Sequence, residues 1–136
     1  MEVLYEARYR VAWADVDMNG HMANSRYLDY ATQTRLQYIA SRGFSLSDFQ
    51  HHGVGPIIFE DRTRYQRELR FLDEFVVSHS YESLDEKGRK FKVVNRFTRD
   101  GEEVAEVVAH GAWFDLATRK VIVPPAKLAR ALSADP

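Results

Sequence analysis

The sequence predicts an α+β fold, one long helix packed on a five-stranded antiparallel sheet, and three features carry that expectation. A single segment with helical period runs from about Met22 to Arg42. Beyond Pro56 the chain reads as four strands separated by short turns. Between the last two of them stands Asp100-Gly101, a hairpin signal because both residues tolerate positive φ.

The elements follow in order. From Ala7 to Trp13, small or apolar residues alternate with Arg8 and Arg10, the pattern of a strand with one solvated face, and a polar turn from Asp15 to Gly20 ends it. In the helical segment Tyr27, Leu28, Ala31, Tyr38 and Ile39 share a face, while Arg26, Asp29, Gln33 and Gln37 gather opposite and Leu36 lies off the apolar face. Gly43 stands where a helix ends best on a left-handed residue. Ser45 to Gly55 reads as a polar, irregular connection. The four strands are Ile57 to Leu69, Glu74 to Leu84, Lys90 to Arg99 and Glu103 to Leu116, with the last three forming a meander. Phe91, Val93 and Phe97 point one way and Lys92, Arg96 and Thr98 the other. In the final strand both parities are apolar, with Ala105, Val107, Ala109 and Trp113 on one and Val104, Val108, Ala112 and Phe114 on the other, so a second subunit is expected to bury the second face. Pro124 to Leu132 reads as a short proline-started helix docked through Leu128 and Leu132.

Composition narrows the function. The 136 residues suit one domain over 1–136, without repeat or linker. Lys and Arg number 19 against 20 Asp and Glu, for a net charge of −1, so nothing draws the chain generally to nucleic acid. Cysteine is absent, which excludes disulfides, a thiol nucleophile and thiolate metal sites. No basic start followed by a long apolar run is present, and no stretch approaches membrane-spanning length; a soluble cytoplasmic protein with no membrane partner is expected.

The chemistry concentrates between Trp13 and Tyr27. Two carboxylates, Asp15 and Asp17, a glycine turn, His21 and Asn24 directly precede a helix whose first amides lack intrahelical partners. Such an end carries partial positive charge and can hold a developing oxyanion, while a carboxylate just upstream can serve as base or nucleophile. Each residue also has a plainer reading. Asp17 can cap a turn, Asn24 can be the helix N-cap through its side chain, His21 can serve the turn, and Tyr27 can simply pack. Asp15 reads as a solvated structural residue. His51-His52 lacks a ligand pair at helical spacing, and adjacent histidines in a strand or loop point apart, so no metal site is expected. Arg62, Arg64, Arg67 and Arg70, interspersed with Asp61 and Glu68, read as a solvated, ion-paired face, with phosphate contact the alternative.

Asp17, two intervening residues, Gly20-His21, then Asn24 and Tyr27 opening the helix, with the later Asp100-Gly101, give a chain that resembles the 4-hydroxybenzoyl-coenzyme A thioesterase family of hotdog-fold proteins. The resemblance runs from Arg8 to about Pro125. It implies a hotdog fold, a central helix wrapped by an antiparallel sheet, assembled as homodimers or dimers of dimers with the active site between two subunits. It also implies an acyl-CoA thioesterase that needs no metal or cofactor, the coenzyme A thioester being its substrate. By position Asp17 corresponds to the catalytic carboxylate, the Asn24 backbone N–H to the group that polarises the carbonyl, and Gly20, His21 and Tyr27 to further motif positions. Arg89 and Lys90 are candidates for contact with the coenzyme A phosphates, and Phe44, Phe49 and Phe59 for lining an acyl pocket. Two alternatives remain open, a non-catalytic acyl-CoA or acyl-carrier-protein binding module and a hotdog dehydratase; the His-Phe-Pro type segment expected of the dehydratase is missing.

Overall fold

Residues 1–133 are described by the structure, a computed structural model. Along the chain run β1 (Tyr5–Arg10), α1 (Asn24–Ser41), α2 (Leu46–His52), β2 (Val54–Tyr65), β3 (Glu74–Leu84), β4 (Lys90–Arg99), β5 (Glu102–Asp115), β6 (Lys120–Val121) and α3 (Ala126–Leu132). The sheet order is β1-β3-β4-β5-β2, every pairing antiparallel, with the two-residue β6 added to β5. Irregularities at Ile58/Glu60, Tyr81/Ser83 and Phe97/Thr98 interrupt the register, and such bulges bend strands and so curl the sheet around α1.

β3 and β4 fall on the expected boundaries, because an apolar parity and a turn at each end leave one solution. Asp100 and Gly101 close the β4–β5 hairpin at φ values of 52° and 80°. β1 ends earlier than expected, at Arg10. The backbone then leaves the sheet, Val11 N–H bonding Asp73 O at 2.9 Å, and forms a short 3-10 turn at Trp13–Asp15. α1 buries Tyr27, Ala31, Thr34, Tyr38 and Ile39 on the sheet. Thr34 is the polar member of that face, its hydroxyl donating to Tyr30 O at 2.8 Å and meeting the Tyr9 hydroxyl at 2.9 Å.

Two expectations are corrected. Ser45 to Gly55 is not irregular: it contains α2, started by a reciprocal cap in which Asp48 N–H reaches Ser45 Oγ at 3.2 Å and Ser45 N–H reaches Asp48 Oδ2 at 2.7 Å. Seven residues are too few for a helical period to show. The second correction concerns the outer face of β5. Val94, Val108 and Ala112 are buried within the single chain, although they share that face with Lys92, Arg96, Glu106 and His110. Long side chains, ion-paired as Arg96–Glu106 at 3.1 Å and Lys92–Glu82, occupy positions around this narrow apolar strip. The apolar parity of β5 is therefore no measure of a missing partner.

Inside, two apolar clusters meet under α1. One gathers Tyr38, Phe44, Phe49, Phe91 and Trp113 with Leu128 of α3. The other gathers Val11, Met22, Tyr27, Ala31, Leu69, Phe75 and Phe97. This second cluster anchors the start of α1 and so places the segment between β1 and the helix. Gly111 lets β4 and β5 approach: a Cβ there would stand 2.5 Å from Ile57 O and 2.7 Å from Phe91 Cζ.

Candidate active site at the start of the long helix

Asp15 builds the turn that delivers the chain to α1. Its carboxylate is buried, in correction of the solvated reading, and accepts from Ala12 N–H at 3.0 Å and from the Tyr30 hydroxyl at 2.5 Å, with Arg26 Nε 3.6 Å away. Its own carbonyl accepts from Ala23 N–H at 2.8 Å. Burial, and then the hydrogen bond to Asp15, push the Tyr30 hydroxyl upward, so the tyrosine stays a donor.

Asp17 follows in a tight reversal. Val16 bridges Met22, Asp17 N–H bonds His21 O at 3.1 Å, and Gly20 N–H bonds Asp17 O at 3.0 Å with Gly20 at φ +83°. The half-buried Asp17 side chain accepts from Asn19 N–H at Oδ1, 2.8 Å, and its Oδ2 accepts from no group among the described residues. Met18 beside it is 98% exposed and Trp13 74% exposed.

The helix begins bare. Ala23, not Asn24, is the N-cap, and no side chain accepts from the first amides. Asn24 is thus the first helical residue, exposed, with its N–H at the positive end of an 18-residue helix. A depression of about 190 Å³ opens here, lined by His21, Asn24, Tyr27, Tyr65 and Glu68 among others. His21 Nε2 lies 3.7 Å from Glu68 Oε1. Tyr27 is buried edge-on against Tyr65 at 5.2 Å, and the Tyr65 hydroxyl donates to Asn24 O at 3.4 Å. Burial raises the Tyr27 hydroxyl to about 12, with a backbone hydrogen bond to Leu69 opposing, so it is a packed neutral phenol at ordinary pH.

His21, Asn24 and Tyr27 therefore share one depression, and Asp17 stands in the adjoining reversal outside its wall. Arg89 and Lys90 are elsewhere. They sit at the β3–β4 turn, where Arg89 Nε pairs with Asp85 at 3.3 Å. The other end of β4, Arg99, bonds Glu68 O near the helix start at 2.7 Å. A strand of ten residues separates the two places, roughly 30 Å. Phe44 and Phe49 are core residues and Phe59 is exposed. His51 and His52 lie in the last turn of α2, where the His52 ring stacks on Phe44 at 5.7 Å. Of the arginine stripe, Arg67 and Arg70 pair with Glu102 and Glu68, each at 3.3 Å. Glu68 and Tyr65 are site neighbours that the sequence did not indicate, since nothing local marks a strand's end as facing a helix 40 residues earlier.

Residues 11–132, which include this whole segment, match the profile of the thioesterase-like superfamily. The chain belongs to that superfamily. Its fold is the hotdog fold, and it is thereby placed among the thioester hydrolases. Among solved structures it is similar to a hypothetical protein from Aquifex aeolicus, with TM-score 0.87 and 21% identity over 95% of this chain and 99% of the other. A hypothetical protein from Staphylococcus aureus in complex with CoA matches with TM-score 0.86 and 18% identity, covering 96% and 82%. A gentisyl-coenzyme A thioesterase matches with TM-score 0.83 and 19% identity, covering 95% and 100%. At these identities the likeness establishes architecture.

Proposed function

We propose that the protein is an acyl-CoA thioesterase in which Asp17 drives cleavage and the Asn24 N–H polarises the thioester carbonyl. The observation that carries the reading is the bare helix start, preceded in the same reversal by a half-buried carboxylate whose Oδ2 accepts from no group among the described residues. With Asp17 as base, water gives a proton to Oδ2 while its oxygen bonds the carbonyl carbon. The oxyanion formed is held by the first helical amide. Collapse breaks the C–S bond, and the proton passes from Asp17 to the leaving thiolate. With Asp17 as nucleophile, Oδ2 itself bonds the carbonyl carbon, the C–S bond breaks and the thiolate leaves to take a proton from solvent; water then opens the resulting mixed anhydride, releasing the acid and restoring the Asp17 carboxylate. No metal or cofactor enters either route. His21, tied to Glu68, and Gly20, which permits the reversal, position Asp17 and the helix start.

The exposed Trp13 and Met18 flanking Asp17 favour a second copy of the chain completing the site, as a homodimer or a dimer of dimers. A hydrolase acting on coenzyme A thioesters without a membrane partner is read as cytoplasmic, and no helix among the described residues is long and apolar enough to cross a membrane. With Arg89 and Lys90 at the far end of the sheet, any contact they make to coenzyme A phosphates in an Asp17 site would come from another copy of the chain.

Thiol release from a panel of aliphatic and aromatic acyl-CoAs tests the proposal. Asp17→Asn should lower kcat by about 10³-fold or more with the melting temperature within a few degrees of wild type. Because Asp17 stands outside the wall of the depression, a non-catalytic acyl-CoA binding module is the second reading. Saturable binding with no thiol release from any substrate, in wild type and Asp17→Asn alike, would establish it instead.

A further inference from the structure

The middle of α1 covers a cavity chemically unlike the surrounding core. It measures about 80 Å³, has walls that include Leu36, Ile39, Phe91 and Trp113, and is also lined by Arg35 and His79. Its mouth lies between α1 and β2, where Leu36 and Ile58 are 41% and 39% exposed. On three of the lining residues a polar atom, Arg35 Nη2, His79 Nε2 and Trp113 Nε1, is buried without a hydrogen-bond partner among the described residues. Buried polar atoms left in this condition are rare in folded proteins, and three on the residues around one small cavity require a reason.

The neighbouring bonds fix what these atoms offer. Arg35 Nε donates to Asn95 Oδ1 at 2.7 Å, and since guanidinium can only donate, this sets the orientation of the amide. Asn95 Nδ2 then faces Ser78 O at 3.2 Å and His79 Nδ1 at 3.3 Å. An amide NH2 cannot accept, so Nδ1 accepts and the imidazole proton resides on Nε2. Burial, and then the charge of Arg35, push the imidazole down to about 3, in keeping with a neutral ring. All three unpartnered atoms are therefore donors, and one of them belongs to a cation. The carboxylate whose charge acts on Arg35 is that of Asp61, which is exposed on β2. Waters in a cavity of this size could accept from the three donors but bring no charge to offset the guanidinium, whereas a carboxylate has about four acceptor sites and a compensating charge.

Resting on the thioesterase reading, we propose that this cavity receives a carboxylate at the far end of the substrate's acyl group, so that the enzyme selects carboxyl-terminated over methyl-terminated acyl thioesters. The apolar mouth suits the hydrocarbon portion and the donors suit the terminus. Arg35 follows Asn24 by eleven residues, about 16 Å along the helix, so the selection should be strongest for medium-length chains.

The test has two arms. In the first, kcat/KM is measured for adipoyl-CoA against hexanoyl-CoA and for dodecanedioyl-CoA against lauroyl-CoA. Wild type should favour the carboxyl-terminated member of at least one pair by about 10- to 100-fold, the scale of a charge-assisted hydrogen bond. Arg35→Met should bring that ratio to about one, and Trp113→Phe should reduce it several-fold while keeping a folded ring in place. In the second arm, calorimetry on Asp17→Asn protein compares octanoate with 1-octanol. Octanoate should bind at least tenfold more tightly, and Arg35→Met in that background should abolish the difference. Equal kcat/KM within both pairs, or a preference that survives both substitutions in folded protein, overturns the proposal. If neither series releases thiol, hydrolysis itself fails and the octanoate comparison alone decides the cavity: equal binding refutes it, and Arg35-dependent binding of the anion sustains it.

Discussion

Gly111→Ala provides a test whose sign is decided by packing. In a strand, replacing Gly by Ala ordinarily helps, gaining roughly 0.4–1 kcal/mol because the unfolded chain loses freedom. At Gly111 the new Cβ meets Ile57 O at 2.5 Å and the Phe91 ring at 2.7 and 2.8 Å, all nearer than a carbon can stand. The ring can tilt, but the carbonyl belongs to the β2–β5 ladder and moves only with the strand. Overpacking of this kind costs roughly 1–3 kcal/mol, occasionally more, which exceeds the entropic gain. A net loss of about 1–2 kcal/mol is expected, lowering the melting temperature by roughly 3–8 °C for a chain of this size. Urea unfolding at equilibrium should show a lower midpoint with unchanged slope. A double variant with Phe91→Leu should recover only part of the loss, because the carbonyl contact remains. An unchanged or raised midpoint for Gly111→Ala would refute the claim that β2 and β4 close on this residue.

Three further outcomes are expected. Asp15→Ala strands the Tyr30 hydroxyl and the Ala12 N–H and should cost about 2–3 kcal/mol in chemical denaturation; a loss under ~0.5 kcal/mol would show that Asp15 is not the clamp of the helix start. Tyr27, raised to about 12, should contribute no ionisation to kcat/KM below about pH 11, so an alkaline limb between pH 8 and 10 that moves in Tyr27→Phe would count against its burial. Asp48 is held down at about 2 from 3.8, first by its hydrogen bond to Lys127 and then by the Ser45 amide. Its stabilising contribution should be complete above about pH 4 and lost as pH falls through 2. The melting temperature of wild type should therefore converge on that of Asp48→Asn across this window, and parallel curves would exclude the bond to Lys127.

The sequence by itself determined what depends on neighbours in the chain. The period of α1, the parity of β3 and β4 and the positive φ at Asp100 and Gly101 are local, and each was legible from a few residues. So was the reversal that sets Asp17, Gly20 and His21 just ahead of Asn24 at the helix start, since a turn and the helix after it form without help from the rest of the fold. Some local features were missed because they are short. The reciprocal cap of Ser45 and Asp48 was written in the sequence, but seven residues of α2 carry no readable period.

What only tertiary structure decided are the pairings across distance. Register sets His79 opposite Asn95, and α1 brings Arg35 onto that amide from 60 residues away. Antiparallel pairing places Arg89 and Lys90 at the end of β4 opposite the helix start. Asp15 resembles any solvated turn aspartate until Tyr30 and Ala12 close over it. The physical reason is common to all three: burial and hydrogen-bond partnership are properties of a packed neighbourhood, whereas periodicity and turn chemistry belong to consecutive residues.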